Sequence, residues 1–126
     1  MATTSDKATT SDKDLAQRTK RFALRIIKLY TNLPKETLGQ VLGKQILRSG
    51  TSVGAQYREA SRARSTAEFI SKIECVLQEL DETSYWIDLL IEGEVVPASR
   101  LSELRAEADE LISIFVASVK TAKENR

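Results

Sequence analysis

No histidine occurs anywhere in the 126 residues. That absence removes the commonest general base and the commonest zinc or di-iron ligand together. It also excludes Ser-His and Cys-His catalysis within the chain. The one cysteine, Cys75, has no second thiol to pair with, which suits a reducing compartment and leads us to expect a cytoplasmic protein. It sits among apolar residues at helical spacing with no basic residue beside it, and so reads as a buried, inert thiol. With only 2 Pro and 5 Gly, chain breakers are scarce, which favours a few long helices over many short strands. Long apolar runs are missing too. The longest uncharged one, Leu111 to Val119, is interrupted by two serines and falls far short of the ~20 residues a membrane span needs. The first 13 residues are polar and lack the apolar segment of a secretory signal.

What is present, 41% hydrophobic and 29% charged residues, is the composition of one folded globular domain. The chain opens with a hexapeptide repeat, ATTSDK at Ala2–Lys7 and again at Ala8–Lys13. This stretch has no bulky apolar side chains to offset the entropy of ordering, so residues 1–13 are expected to be a disordered tail. Residues 14–124 are expected to form an all-α, antiparallel, up-down-up-down four-helix bundle. Helix one is predicted over 14–32, where Leu15, Phe22, Ile26, Leu29 and Leu33 recur at three- and four-residue steps. Thr19 fills the gap, and Ile27 and Tyr30 widen the stripe. Ser11 or Asp12 can cap its start, and Pro34 ends it.

Helix two is predicted over 35–62, with Leu38, Val41, Leu42, Ile46, Val53, Tyr57 and Ala60 as its apolar face. Gly39, Gly43, Gly50 and Gly54 lie within it, each costing roughly 1 kcal/mol against alanine. Either another helix packs very close to this stripe, or the helix kinks near Ser49–Thr51. The S-x-x-E box Ser65–Glu68 starts helix three, predicted over 66–92. Phe69, Ile73, Val76, Leu80, Thr83, Ile87 and Leu90 follow at alternating steps of four and three, and Gly93 suits a left-handed cap. Helix four is predicted over 97–123, opened by Pro97, with Leu101, Leu104, Ala108, Leu111, Phe115 and Val119 as its stripe. Links this short require antiparallel neighbours.

The net charge of +1 conceals an asymmetry. Residues 1–64 carry 13 Lys+Arg and 5 Asp+Glu, so 13 − 5 = +8; residues 65–126 carry 6 and 13, so 6 − 13 = −7. Arg18, Arg21, Arg25 and Lys28 line one side of helix one; Lys44, Arg48, Arg58 and Arg62 do much the same on helix two, with Arg64 just beyond. Such stripes can track phosphates, and Arg18, Arg21, Arg25, Lys44, Arg48 and Arg62 are the residues expected to contact them. A charged stripe can equally be a solvated face. Complementary charge between the halves can also orient subunits in a heterologous contact, or pair within one monomer.

The carboxylates give no sign of catalysis. Glu79 and Glu82 are spaced i, i+3 and Glu59 lies on the neighbouring helix, but a bundle di-metal site wants Glu-x-x-His pairs. No metal, cofactor, small-molecule substrate or enzymatic activity is therefore expected. Gln45, Arg48, Glu59 and Glu82 are expected to be structural or oligomer-forming polar residues, with Glu82 meeting Arg48 or Arg58 across the helix two–three contact.

The stretch QILRSGTSVGAQYREASRARS at Gln45–Ser65 resembles the four-helix bundle family of 23S rRNA intervening-sequence proteins. The resemblance continues through AEFISKIECVLQELDETSYWIDLL at Ala67–Leu90 and includes KLYTNLPKE at Lys28–Glu36. Its most specific residues are Gln45, Arg48, Ser49, Ser52, Ala55 and Glu59, then Glu82 and Trp86. Gln56 stands where the family usually has Asn, and Ser61 where close relatives often have Cys. The resemblance implies an antiparallel four-helix bundle assembled into a homopentameric ring, with a link to ribosomal RNA or a ribonucleoprotein. A related accessory protein of diversity-generating retroelements is a basic pentameric ring. The function this implies is a non-enzymatic nucleic-acid or RNP interaction scaffold; the alternative is a purely protein–protein adaptor.

Overall fold

A computed structural model describes residues 11–126. Four helices make up the described chain: α1 Asp12–Thr31, α2 Thr37–Ser61, α3 Thr66–Glu92 and α4 Ala98–Glu124. No strand occurs among the described residues, and no helix there is long and apolar enough to cross a membrane. Most of the repeat, residues 1–10, lies outside the described residues, and with it the expected disorder. Residues 11–13, assigned to the tail, instead open α1. Ser11 Oγ accepts a hydrogen bond from the Asp14 amide at 3.1 Å, and Asp12 and Asp14 occupy the first turn, where the helix dipole favours negative charge.

The connections show why each helix starts and stops where it does. α2 begins at Thr37, two residues later than the periodicity suggests, because the chain turns first at Pro34. Gln40 Nε2 donates to the Pro34 carbonyl at 2.9 Å, and Gly39 lies beneath the same oxygen, where a Cβ would come within 2.6 Å of it. At the start of α3, Ser65 Oγ accepts from the Glu68 amide at 3.0 Å. The Glu68 carboxylate reaches one residue further back than the usual capping box and accepts from the Arg64 amide at 3.1 Å. The α3 terminus corrects an expectation. Gly93 has φ −80°, and the left-handed residue is Glu94 at φ 60°. Gly93 is required for space instead, since a Cβ there would sit 2.7 Å from the Leu89 carbonyl oxygen.

α2 packs against α1 on one side and α3 on the other; α4 packs on α3, and α1 and α4 touch only sparsely. Along α1 and α2, Tyr30 meets Gly43, Ile26 meets Gly50 and Thr19 meets Gly54. Along α2 and α3, Arg48 meets Glu82 and Glu59 meets Lys72. Along α3 and α4, Asp88 meets Arg105 and Glu74 meets Lys123. In every case residue numbers rise on one helix as they fall on the other.

The core follows the predicted stripes of α3 and α4 closely, with Ile70 buried and Phe69 only half-buried, and Ile114 added on α4. On α2 the stripe is narrower than predicted. Leu38 is 51% exposed and Val41 55% exposed, because five residues from Ile46 back to Val41 rotate a side chain well off the buried face. Ile27 likewise faces out, whereas Tyr30 is half-buried. Thr19 is buried, and its hydroxyl donates to the Leu15 carbonyl at 2.8 Å, which removes the cost of an unpaired polar group.

The glycines of α2 serve close packing, and the helix runs unbroken from Thr37 to Ser61. A Cβ at Gly50 would lie 2.6 Å from Ile26 Cγ1, and one at Gly43 would lie 2.8 Å from Leu33 Cδ1. Gly54 differs: its nearest neighbours, Thr19 O and Oγ1, would be 3.4 Å away. On the α2–α3 side, Thr83 Oγ1 lies 2.8 Å from both Ser49 Oγ and the Glu79 carbonyl oxygen, so two buried hydroxyls satisfy each other and a helix carbonyl. At one end of the molecule, the Tyr57 hydroxyl donates to Asp12 Oδ1 at 2.5 Å, and the Tyr57 ring packs on Phe115 with centroids 5.5 Å apart.

Two stability predictions follow from this packing. Gly50→Ala gains up to about 1 kcal/mol of helix propensity but overpacks the buried Ile26, costing about 1–3 kcal/mol. Its thermal midpoint should fall, whereas Gly54→Ala should raise it; equal shifts in calorimetry would contradict the close-packing account. Burial, and then the bond to Asp12, push the Tyr57 phenol above its ordinary 10.0. The fold therefore favours the neutral phenol. That contribution is intact below pH 10.0 and declines as pH rises toward the higher folded value. Urea unfolding between about pH 9 and 11 should show wild-type stability falling more steeply than that of Tyr57→Phe; parallel curves would refute it.

Candidate functional site

The candidate site is the set of cations on α1 and α2, and the tertiary structure divides it. Arg18 is committed to α4. Its Nε and Nη2 donate to Glu107 Oε2 and Oε1 at 3.1 and 2.8 Å, a two-pronged bond in a half-buried setting. That hydrogen bond holds the Arg18 guanidinium above its ordinary pKa, against the opposing effect of burial. Arg48 is committed to α3, where it pairs with Glu79 at 3.4 Å and with Glu82. Of the two partners considered for Glu82, the structure selects Arg48. The pair lies just outside the buried Ser49–Thr83 hydroxyls, so one seam carries a hydroxyl contact inside and a charge contact at its rim. The charges remain exposed, Arg48 and Glu82 at 52% and 50%, so the pair orients the helices more than it stabilises them.

The remaining candidates stay exposed. Arg21, Arg25, Lys44 and Arg62 form no ion pair among the described residues, nor do Lys28 and Arg58. Four of them fall into two groups. Lys44 and Arg62 are 62 − 44 = 18 residues apart, about five turns, and so share one side of α2. Arg25 and Lys28 belong to the α1–α4 seam. There they line an open groove of about 520 Å³ together with Leu29 and Asn32 of α1 and Ser99, Arg100, Leu101, Ser102, Glu103 and Leu104 of α4. Arg100 was missed by the sequence reading. It stands in the acidic half of the chain, and nothing local says that the first turn of α4 lies beside the end of α1.

Gln45, grouped with the structural polar residues, is exposed on α2. Glu59 accepts from Lys72 Nζ at 2.7 Å, and this bond raises the lysine's pKa above its ordinary value. Glu59, Glu79 and Glu82 thus face cations. Among the described residues, no three Cys, Asp or Glu side chains gather where a metal ion could sit. Cys75 is half-buried rather than fully packed. A second hollow, of about 560 Å³, lies at the other end of the molecule and is lined by Asp12, Leu15, Tyr57, Phe69, Ser118 and neighbouring small residues. It holds no cation.

Comparison with known proteins agrees with this architecture. The family model described as 23S rRNA-intervening sequence protein matches residues 11–117. A solved structure from Bacteroides thetaiotaomicron, a protein of unknown function from the S23 ribosomal protein family, is 38% identical. It superposes with a TM-score of 0.81 over 86% of this chain and 97% of that one. No curated protein matches the chain.

Proposed function

The chain belongs to the 23S rRNA-intervening sequence protein family, and on that premise we propose that it is a non-enzymatic scaffold that binds RNA or an RNP. In this reading it is an antiparallel up-down-up-down bundle that assembles with copies of itself, as a pentamer, in the cytoplasm. The opposed residue order across all three helix contacts supports the antiparallel topology. The observation that carries the RNA reading is the excess of unneutralised cations on α1 and α2. Arg21, Arg25, Lys28, Lys44, Arg58 and Arg62 have no ion-pair partner among the described residues, although the chain as a whole is nearly neutral. Such a surface attracts phosphates and releases their counterions. The absence of histidine and the pairing of Glu59, Glu79 and Glu82 with cations support a non-catalytic role.

A second reading, a protein–protein adaptor without nucleic acid, draws on a different observation. Leu38 and Val41 on α2 and Tyr85 on α3 are each more than half exposed, and apolar surface of this kind favours contact with another protein. Asp81, Glu92, Glu94 and Asp109 also lack ion-pair partners among the described residues. They offer acidic surface to the basic surface of a neighbouring copy.

The Arg62→Glu variant separates the two readings. The RNA reading expects a structured RNA to be retained on filters at low salt, with affinity falling as salt rises. It expects Arg62→Glu to weaken that binding while light scattering gives an unchanged mass. The adaptor reading expects the mass to drop and no RNA to bind. Failure of the wild-type chain to bind RNA even at the lowest salt would end the RNA reading, and a monomeric mass would end the assembly.

A further inference from the structure

We propose that the α1–α4 groove is a phosphodiester site that takes one strand of RNA through Arg25, Lys28 and Arg100. The inference rests on the RNA reading above and assigns it a place. Folding brings these three cations, two from α1 and one from α4, around one concave seam, and among the described residues Glu103 is the sole carboxylate lining it. Outside the groove, Arg18, Arg48, Lys72, Arg105 and Lys123 each face a carboxylate, whereas Arg21, Lys44, Arg58 and Arg62 stand unpaired at exposed positions among the described residues. In the groove none of the three is paired either, among the described residues. Like charges gathered at a concave surface repel one another, and a bound anion removes that cost.

The shape and lining narrow the ligand. Two guanidiniums and an ammonium match phosphate oxygens, the guanidiniums in two-pronged fashion. Ser99 and Ser102 add hydroxyls from the start of α4, a helix whose first turn has no side-chain cap and no acidic residue. Leu29, Leu101 and Leu104 supply an apolar floor suited to ribose or base. Along α1 the lining runs from Arg25 to Asn32, about 10 Å of helix. That length spans a nucleotide or two of a single strand. The seam is open because α1 and α4 touch so little, with the Arg18–Glu107 bond bracing it one to two turns away.

The test measures fluorescence anisotropy with a fluorescein-labelled oligouridylate, beside the structured RNA used for the wild type. Arg25→Glu with Arg100→Glu should weaken oligouridylate binding about tenfold or more. It should also flatten the salt dependence by about 1.4 in log–log slope, as expected for two lost phosphate contacts on a single strand. Lys13→Glu with Lys120→Glu, exposed lysines beside the hollow at the opposite end of the molecule, should leave oligouridylate affinity within about twofold. Both pairs are exposed, and circular dichroism melts should match wild type. If the groove variant binds oligouridylate like wild type while structured RNA still binds, the groove assignment falls and the RNA reading stands. If neither RNA binds at low salt, both fall. Inorganic pyrophosphate shifting the amide resonances of Ser99 and Arg100, with no shift from oligouridylate, would mean a free-phosphate site and overturn the assignment to RNA.

Discussion

The close approach of α1 to α2 is the contact on which the rest of the structure depends. Ile26 rests on Gly50, and Tyr30 and Leu33 rest on Gly43, at distances that leave no room for a Cβ. Glycine in a helix interior is unfavourable in isolation, so these residues are tolerated because of what they let in. The buried Ile26 gains van der Waals contact with backbone that a side chain would otherwise cover. Holding α1 tightly to α2 draws it away from α4. The four helices therefore do not meet equally around the core, and the α1–α4 seam is left open.

The opposite side of α2 is fixed by polar groups as well as by packing. The buried Ser49–Thr83 contact admits only a register in which both hydroxyls find partners, and Arg48 closes the same register on Glu79 and Glu82 at the surface. A slip of one turn would leave a hydroxyl unpaired in the core, which costs more than the bond contributes when made. The polar residues on this seam thus select an arrangement, and the apolar residues supply most of the stability.

These two contacts decide how the chain's uneven charge is spent. Arg18 and Arg48 are drawn into pairs with the acidic half, so the basic surface is smaller than the charge count of +8 on residues 1–64 suggests. What remains includes one side of α2 and the α1–α4 groove. The division matters for recognition. Dispersed cations attract any polyanion, whereas cations converging on a concave seam also impose a geometry on what they hold.

The sequence by itself determined the four helices and most of their buried faces. The α3 heptads, the Ser65 cap and the α4 stripe are local patterns, and a helix's period and ends are set within one or two turns of chain. It also excluded histidine-based chemistry outright, because composition needs no fold to interpret. Tertiary structure alone decided which arginines are engaged. Arg18 and Glu107 are 89 positions apart, and their meeting depends on how α1 and α4 are rotated about their axes. The same holds for Arg100 joining Arg25 and Lys28. Periodicity assigns a residue to one face of one helix. Which surface that face meets is a property of several helices packed together, and no single stretch of chain carries it.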